Sequence, residues 1–171
     1  MITIRAETSK DIAAIRHVLE MAFGQASEAR LVEALRQIDA LITSLVAVEK
    51  DQIVGHIGFS NVVLDSAHPT PNIVALAPLA VLPTHQRRGI GSELVRRGLT
   101  QCRQLGHYAV LVLGEPAFYE CFGFVKASLH GILCPFDVPY EAFMVTELFS
   151  GALAGHCGSV KYRPEFDLVG G

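Results

Sequence analysis

Residues 73–82 read IVALAPLAVL. A run so apolar, without alternation, suits a strand covered on both faces of a sheet. Pro78 stands in its middle, and proline has no N–H to give to a neighbouring strand. The strand therefore carries a bulge or a break in its ladder at Pro78. Just beyond, the backbone of Leu79, Ala80 and Val81 is free to pair with something other than a strand. A turn follows, and then a helical pattern from Gly91 to Leu105, with Leu94, Val95, Leu99 and Cys102 on one face and Gly106 as its stop. YAVLVLG, 108–114, is a second fully apolar strand. Two such strands joined by a helix form a parallel crossover.

The rest of the chain is arranged around that unit. ITIRAE reads as an opening strand and TSKDIAAIRHVLEMAFG as a helix. Its apolar positions are Ile12, Ile15, Leu19, Ala22 and Phe23, its N-cap is Thr8 with Asp11 in the first turn, and its stop is Gly24. Ser27 caps a second helix, EARLVEALRQ, that buries Leu31 and Leu35. LITSLVAVE and IVGHIGFSNVVL are strands joined by the polar turn KDQ, and SAHPTPN is a loop. AFYECFG has the spacing of a short helix. FVKASLHGILCPF and AFMVTELF read as a strand pair joined through DVPY, and the glycine-rich tail after Ser150 as irregular. The expected fold is a mixed α/β (α+β) one: a mostly antiparallel central sheet with a parallel, splayed strand pair, flanked by helices.

A length of 171 residues with no repeat, linker or low-complexity tract suits one domain, 1–171. Half the residues are hydrophobic and 18% are charged, which excludes a disordered chain. No apolar run reaches the roughly 18 to 20 residues of a membrane span. The N-terminus, MITIRAETSKD, lacks the basic and apolar regions of a secretory signal. Cys102, Cys121, Cys134 and Cys157 form no CxxC pair or Cys/His cluster, so reduced thiols in a cytoplasm and no metal are expected. The net charge of −3 argues against a general nucleic-acid binder.

That charge is unevenly spread. Arg87, Arg88, Arg96, Arg97 and Arg103 face one Glu93 between Thr84 and His107. The local balance is +4 against −3 overall, leaving −7 elsewhere. At the head of this stretch stands QRRGIG, 86–91, just before the helical pattern. A helix N-terminus offers unbonded N–H groups and partial positive charge to a phosphate. Gly89 and Gly91 let the backbone turn and approach a ligand with no Cβ in the way. Arg87 and Arg88 add donors suited to phosphate. The spacing matches neither the GxxxxGK[ST] loop nor GxGxxG, whose third glycine would stand at Leu94. A turn with solvated arginines is the competing reading. A strand with an open backbone leading into a phosphate-binding turn suits a long ligand with a peptide-like arm and a diphosphate, the shape of coenzyme A.

PLAVLPTHQRRGIGSELV resembles the cofactor motif of the GNAT superfamily of acyl-CoA N-acyltransferases, written [RQ]xxGx[GA] and filled here by Gln86, Arg87, Arg88, Gly89, Ile90 and Gly91. A second family hallmark, a tyrosine ahead of xxxGF, is matched by YECFGF, with Tyr119, Gly123 and Phe124. The resemblance covers roughly residues 2 to 148 and is strongest over a cofactor core at 74–125. It implies transfer of an acetyl group from acetyl-CoA, as co-substrate, to a primary amine of a small molecule or peptide. Edge strands near the C-terminus leave monomer and homodimer both open. The resemblance implies further that the amides from Arg87 to Ser92 cradle the pyrophosphate. Leu79 and Val81, with Ala80 between them, pair with pantetheine, the Leu79 N–H points at the thioester carbonyl, and Tyr119 faces the sulfur. Many members carry Asn at the end of the following strand, where this chain has Gly114 and Glu115.

Acyl transfer to an amine needs a neutral nucleophile, a donor for the oxyanion and a hydrogen bond for the leaving thiolate. The Leu79 N–H is the oxyanion candidate and Tyr119 the acid candidate; a core aromatic is the bland reading of Tyr119. The tyrosine pKa of about 10 exceeds a thiol's of about 8.5, so Tyr119 stabilises a thiolate better than it protonates one. Candidate bases are Glu28 first, then Glu33, Glu115, and His56 with Ser60 two alternations along the same strand face, with a water chain as the alternative to them all. A non-catalytic acyl-CoA sensor on the same fold is the alternative, which the tyrosine at the acid position disfavours. A nucleotide- or RNA-binding module lacks exposed aromatics among the arginines.

Overall fold

A computed structural model describes residues 1–65 and 70–169. Most of the expected loop SAHPTPN thus lies outside the described residues. The chain groups into two compact units: residues 1–60, 77–98 and 164 onward, and residues 61–76 with 99–163.

In the first unit β1 (Thr3–Ala6) pairs antiparallel with β2 (Leu41–Glu49), in register from Thr3↔Val48 to Ala6↔Leu45. β2 in turn pairs antiparallel with β3 (Gln52–Asp65) across the turn at Lys50 and Asp51, both with positive φ. α1 (Ile12–Phe23) and α2 (Ser27–Gln37) pack on each other. α1 buries Ile15, Val18 and Leu19, whereas Phe23, expected inside, is 39% exposed at its last turn. Gly24, at φ 69°, stops the helix as expected.

Both helix starts differ in detail from expectation. Thr8 precedes a 3-10 turn, Ser9–Asp11, rather than α1 itself. The Asp11 carboxylate receives the Thr8 N–H at 2.7 Å and a two-pronged bond from Arg5 at 2.7 and 3.1 Å. The Arg5 guanidinium holds Asp11 down to a pKa of about 2. Ser27 does not cap α2; it is the first helical residue. Ala26 before it already has near-helical backbone and its carbonyl accepts from Arg30 N–H at 3.0 Å.

β4 (Ile73–Val81) enters both units, and α3 (Ile90–Gln104) starts in the first. α3 carries the expected apolar face, with Leu94, Val95 and Cys102 fully buried. Gly98 lies on that face because nothing larger fits. A Cβ there would stand 2.5 Å from two ring atoms of the buried Phe59 of β3.

In the second unit β4 runs parallel to β5 (Ala109–Leu113), from Ile73↔Ala109 to Leu76↔Val112. β5 pairs antiparallel with β8 (Phe143–Glu147), and β8 with β6 (Val125–Lys126). The core includes Ile73, Ala75, Leu111, Phe143 and Val145. The segment expected as one strand, FVKASLHGILCPF, is two. A 3-10 turn at Ala127–His130 and Gly131, at φ 70°, separate β6 from β7 (Ile132–Leu133). The tail expected to be irregular contains β9 (Gly158–Lys161), which pairs parallel with β7 and antiparallel with β3. It ends, in the first unit, in a 3-10 turn, Pro164–Leu168, that packs on α2 through the buried Phe166. Within the described residues the sheet is mixed, mostly antiparallel, with parallel pairs, and helices flank it.

Gly98→Val tests the α3–β3 packing. Overfilling a core site costs about 1–3 kcal/mol, which outweighs what a β-branched residue gains over glycine inside a helix. A chain of this size then melts lower by about 2–4 °C per kcal/mol. A thermal melt checks this, and an unchanged Tm means that the Phe59 ring yields without cost.

Candidate active site

The turn before α3 is built by two left-handed residues, Arg87 at φ 62° and Gly89 at φ 83°. The first helical bond runs from Glu93 N–H to the Gly89 carbonyl at 3.1 Å. The amides of Ile90, Gly91 and Ser92 therefore lead the helix with no carbonyl of their own turn to bond. Nothing lies within 4 Å of where a Gly89 side chain would begin, so the approach to these amides is open. Gly91 is helical. The sharp bend expected of both glycines belongs to Arg87 and Gly89 alone.

Side chains pin this turn to the strands behind it. Gln86 Nε2 donates to the Val81 carbonyl at 3.0 Å, clasping the turn to the end of β4. Arg88 donates to both oxygens of Glu49, at 2.5 and 3.3 Å, and His85 Nε2 is 3.6 Å from the same carboxylate. The Arg88 hydrogen bonds hold Glu49 below the usual carboxylate range. Arg88 is thus an anchor to the end of β2, and its backbone, not its guanidinium, is what it presents at the turn. Arg87 is exposed. Within β4, Leu79 is half-buried, while Ala80 and Val81 are buried. The parallel ladder stops at Leu76, two residues short of Pro78, and the strand itself continues to Val81.

Tyr119 belongs to the second unit, at the end of α4 (Pro116–Tyr119). Its ring is 8% exposed and meets Phe118 and Phe124 edge-on, with centroids 4.9 and 5.4 Å apart. Burial pushes its phenol up to about 12, so the O–H keeps its proton at neutral pH. The ring lies over Gly114, where a Cβ would come within 2.5 Å of Cε2. A glycine at the end of β5 is therefore the condition for seating Tyr119. Glu115 starts α4; its carbonyl accepts from the Phe118 and Tyr119 amides, each at 3.2 Å, and the residue is exposed.

Two of the acidic candidates, Glu28 and Glu33, are already engaged. Glu28, in the first turn of α2, accepts from Gln25 Nε2 at 3.1 and 3.2 Å and from Ser27 Oγ at 3.2 Å. Glu33 is paired with Arg16, whose Nε is 2.9 Å from Oε2. His56 and Ser60 are wholly buried. His56 Nε2 lies 2.8 Å from Ser44 Oγ, and Ser44 donates to Glu7 Oε1. Glu7 also takes two bonds from Arg36, at 2.8 and 3.1 Å. Burial pushes Glu7 up, but the Arg36 and Ser44 hydrogen bonds outweigh it and hold the carboxyl below its usual range. Burial drives His56 down to about 4, against the opposing charge of Glu7. Sequence reasoning missed Glu7, Ser44 and Arg36; the only local sign was a charge closing the first strand. Among the described residues no group of His, Cys, Asp and Glu side chains could hold a metal ion, and no helix is long and apolar enough to cross a membrane.

The acetyltransferase (GNAT) family model matches residues 12–124. The chain is 36% identical over 165 residues to YhbS of Escherichia coli K12, named as an uncharacterised N-acetyltransferase, covering 96% of this chain and 98% of that one. The crystal structure of Escherichia coli YhbS in complex with CoA superposes with a TM-score of 0.92 at 35% identity, over 97% of this chain and 92% of that one. A GNAT family acetyltransferase from Brucella melitensis, in complex with acetyl-CoA, gives 0.80 at 34% identity, over 98% and 99%.

The His56 burial sets a pH dependence of stability. Its folded pKa lies below the unfolded value, so the folded state binds fewer protons. The stabilisation is complete above about 6.5 and is lost as pH falls towards 4. Between pH 7 and pH 5 that is about 2 kcal/mol. Urea unfolding at the two pH values measures it, and His56→Gln removes that part of the difference; an equal difference in both proteins contradicts the assignment.

Proposed function

The chain belongs to the acetyltransferase (GNAT) family, and from that premise we propose that it transfers an acetyl group from acetyl-CoA to a primary amine of a small molecule or peptide by direct attack. The observation that carries the proposal is the start of α3: three leading amides behind a glycine with open space before it. A diphosphate there meets aligned N–H donors and the positive end of a 15-residue helix. The backbone amides from Arg87 to Ser92 form the cradle, held in shape by Gln86 on Val81 and Arg88 on Glu49. Gly91 leaves the cradle without a Cβ at its second helical position. Pantetheine pairs with the backbone of Leu79, Ala80 and Val81.

In the reaction the amine nitrogen attacks the thioester carbonyl. The Leu79 N–H donates to the oxygen as negative charge develops, a contact worth most when water is excluded. Tyr119 donates its O–H to the departing sulfur. A phenol at about 12 is a weaker acid than a thiol of about 8.5, so the hydrogen bond stabilises the thiolate without full proton transfer. Two relatives at 34% identity or more are described as bound to CoA and acetyl-CoA, which supports the same ligand here.

Bound cofactor stabilises the native state by mass action, about 2.7 kcal/mol at a hundredfold excess over Kd. The expected rise in Tm is roughly 5 to 10 °C. Gly91→Glu, with a carboxylate in the cradle, abolishes the rise while the protein stays folded. No shift of the unaltered protein with millimolar acetyl-CoA rules the reading out.

Tyr119→Phe keeps the ring and its packing but removes the O–H. CoA affinity stays the same, and kcat and kcat/KM fall together by about 10²- to 10⁴-fold. Thiol release from acetyl-CoA reads this. An unchanged kcat under rate-limiting chemistry makes Tyr119 a core aromatic only.

A further inference from the structure

Glu49 is the last residue of β2, paired with Gln52 across the turn at Lys50 and Asp51. It lies outside QRRGIG, 39 residues before Arg88, and its charge is the wrong one for a neighbour of a diphosphate. The structure nevertheless builds the turn around it. Its two oxygens accept from Arg88 at 2.5 and 3.3 Å, and His85 Nε2 stands 3.6 Å from Oε1. The Glu49 side chain is 14% exposed, against 47% for that of Arg88. The carboxylate end of this pair is therefore fixed and covered, and the guanidinium is brought to it by two parallel bonds of set geometry.

The place of Arg88 in the chain gives this clasp a task. Arg88 lies between the two left-handed residues, Arg87 at φ 62° and Gly89 at φ 83°. A non-glycine residue at positive φ is costly and persists only where its surroundings hold it. His85, whose Nδ1 is 2.8 Å from Thr84 Oγ1, faces the same carboxylate from the other side. One carboxylate thus reaches residues 85 and 88, which flank the left-handed Arg87. Its charge also cancels that of Arg88, so the guanidinium is not what draws an anion to the turn. The donors left for a diphosphate are the backbone amides, and these bind well only when their direction is set beforehand.

We infer that Glu49 is a positioning residue for the diphosphate of CoA, acting through Arg88 to set the backbone of residues 87–89 and so the aim of the leading amides. The inference rests on the acyltransferase reading and deepens it. Its consequence is that a negative side chain strengthens the binding of an anion. A direct bond from the Arg88 guanidinium to the phosphate is the competing assignment, and its sign is opposite. Removing Glu49 would then free Arg88 and tighten CoA binding.

Calorimetric titration of CoA, together with thiol release from acetyl-CoA with water as nucleophile, separates the two. Glu49→Ala raises the Kd for CoA about tenfold. The KM for acetyl-CoA rises with it while kcat stays the same, the mark of lost binding rather than lost chemistry. The Tm of the free protein also stays the same, since a surface ion pair contributes little to stability. In an Arg88→Ala background, adding Glu49→Ala weakens CoA binding no further, because the anchor is already gone. Glu49→Gln keeps the shape and one acceptor, falls between, and carries the test if Glu49→Ala does not fold. A Kd within twofold of the unaltered protein, or a lower one, overturns the inference. So does an equal loss of affinity with and without Arg88, or a loss that falls on kcat instead of KM. Failure of the unaltered protein to bind CoA refutes the acyltransferase reading as well; CoA binding that is indifferent to Glu49 refutes the inference alone.

Discussion

Everything in the first unit that bears on function depends on where α3 begins. The left-handed backbone at Arg87 and Gly89 delays the helix to Ile90, so its first amides face outward beside a residue with no side chain. A Cβ-bearing residue at Gly89 would be strained at φ 83° and would also fill the approach. Gln86 and Arg88 convert this exposed turn into a fixed one by tying it to the ends of β4 and β2. The arginine cluster thus serves partly as structure. An ion pair at the surface contributes little to stability, yet it can hold a backbone in register for a ligand that needs several donors at once.

The second unit shows the same economy. Tyr119 needs a ring-sized space beside β5, and Gly114 provides it by having no side chain. The glycine that departs from the family's usual asparagine is therefore explained by packing. The same burial that seats the ring keeps the phenol protonated, which is the state that a hydrogen-bond donor requires.

The elements legible in the sequence were those whose signal is local. β2 runs from Leu41 to Glu49 as read, because a strand-forming run is closed by a polar turn at Lys50 and Asp51. β4 and α3 were equally plain, since an apolar run, a GxG turn and a 3.6-residue stripe follow one another. What failed was what depends on distant pairing. β9 has one inward residue, Val160, and exists because β3 and β7 supply its partners. Phe166 is a lone apolar residue whose burial comes from α2. The proposed cradle at residues 86–92 could be suggested from the sequence because it is contiguous. The Glu7–Ser44–His56 chain could not. It arises from strand registers that set Val46 opposite His56 and Ser44 opposite Gly58, with the Glu7 N–H on the Ser44 carbonyl. Those registers bring residues 7, 44 and 56 together, and α2 adds Arg36.

The central claim is that acetyl-CoA is held by the backbone at the start of α3. Titrating acetyl-CoA into ¹⁵N-labelled protein and following the amide resonances tests it directly. The account predicts that Gly89, Ile90, Gly91 and Ser92 show the largest saturable shifts, together with Leu79 and Val81 in β4. Saturable shifts that leave these six amides unmoved, or no saturable shift at all, would contradict it.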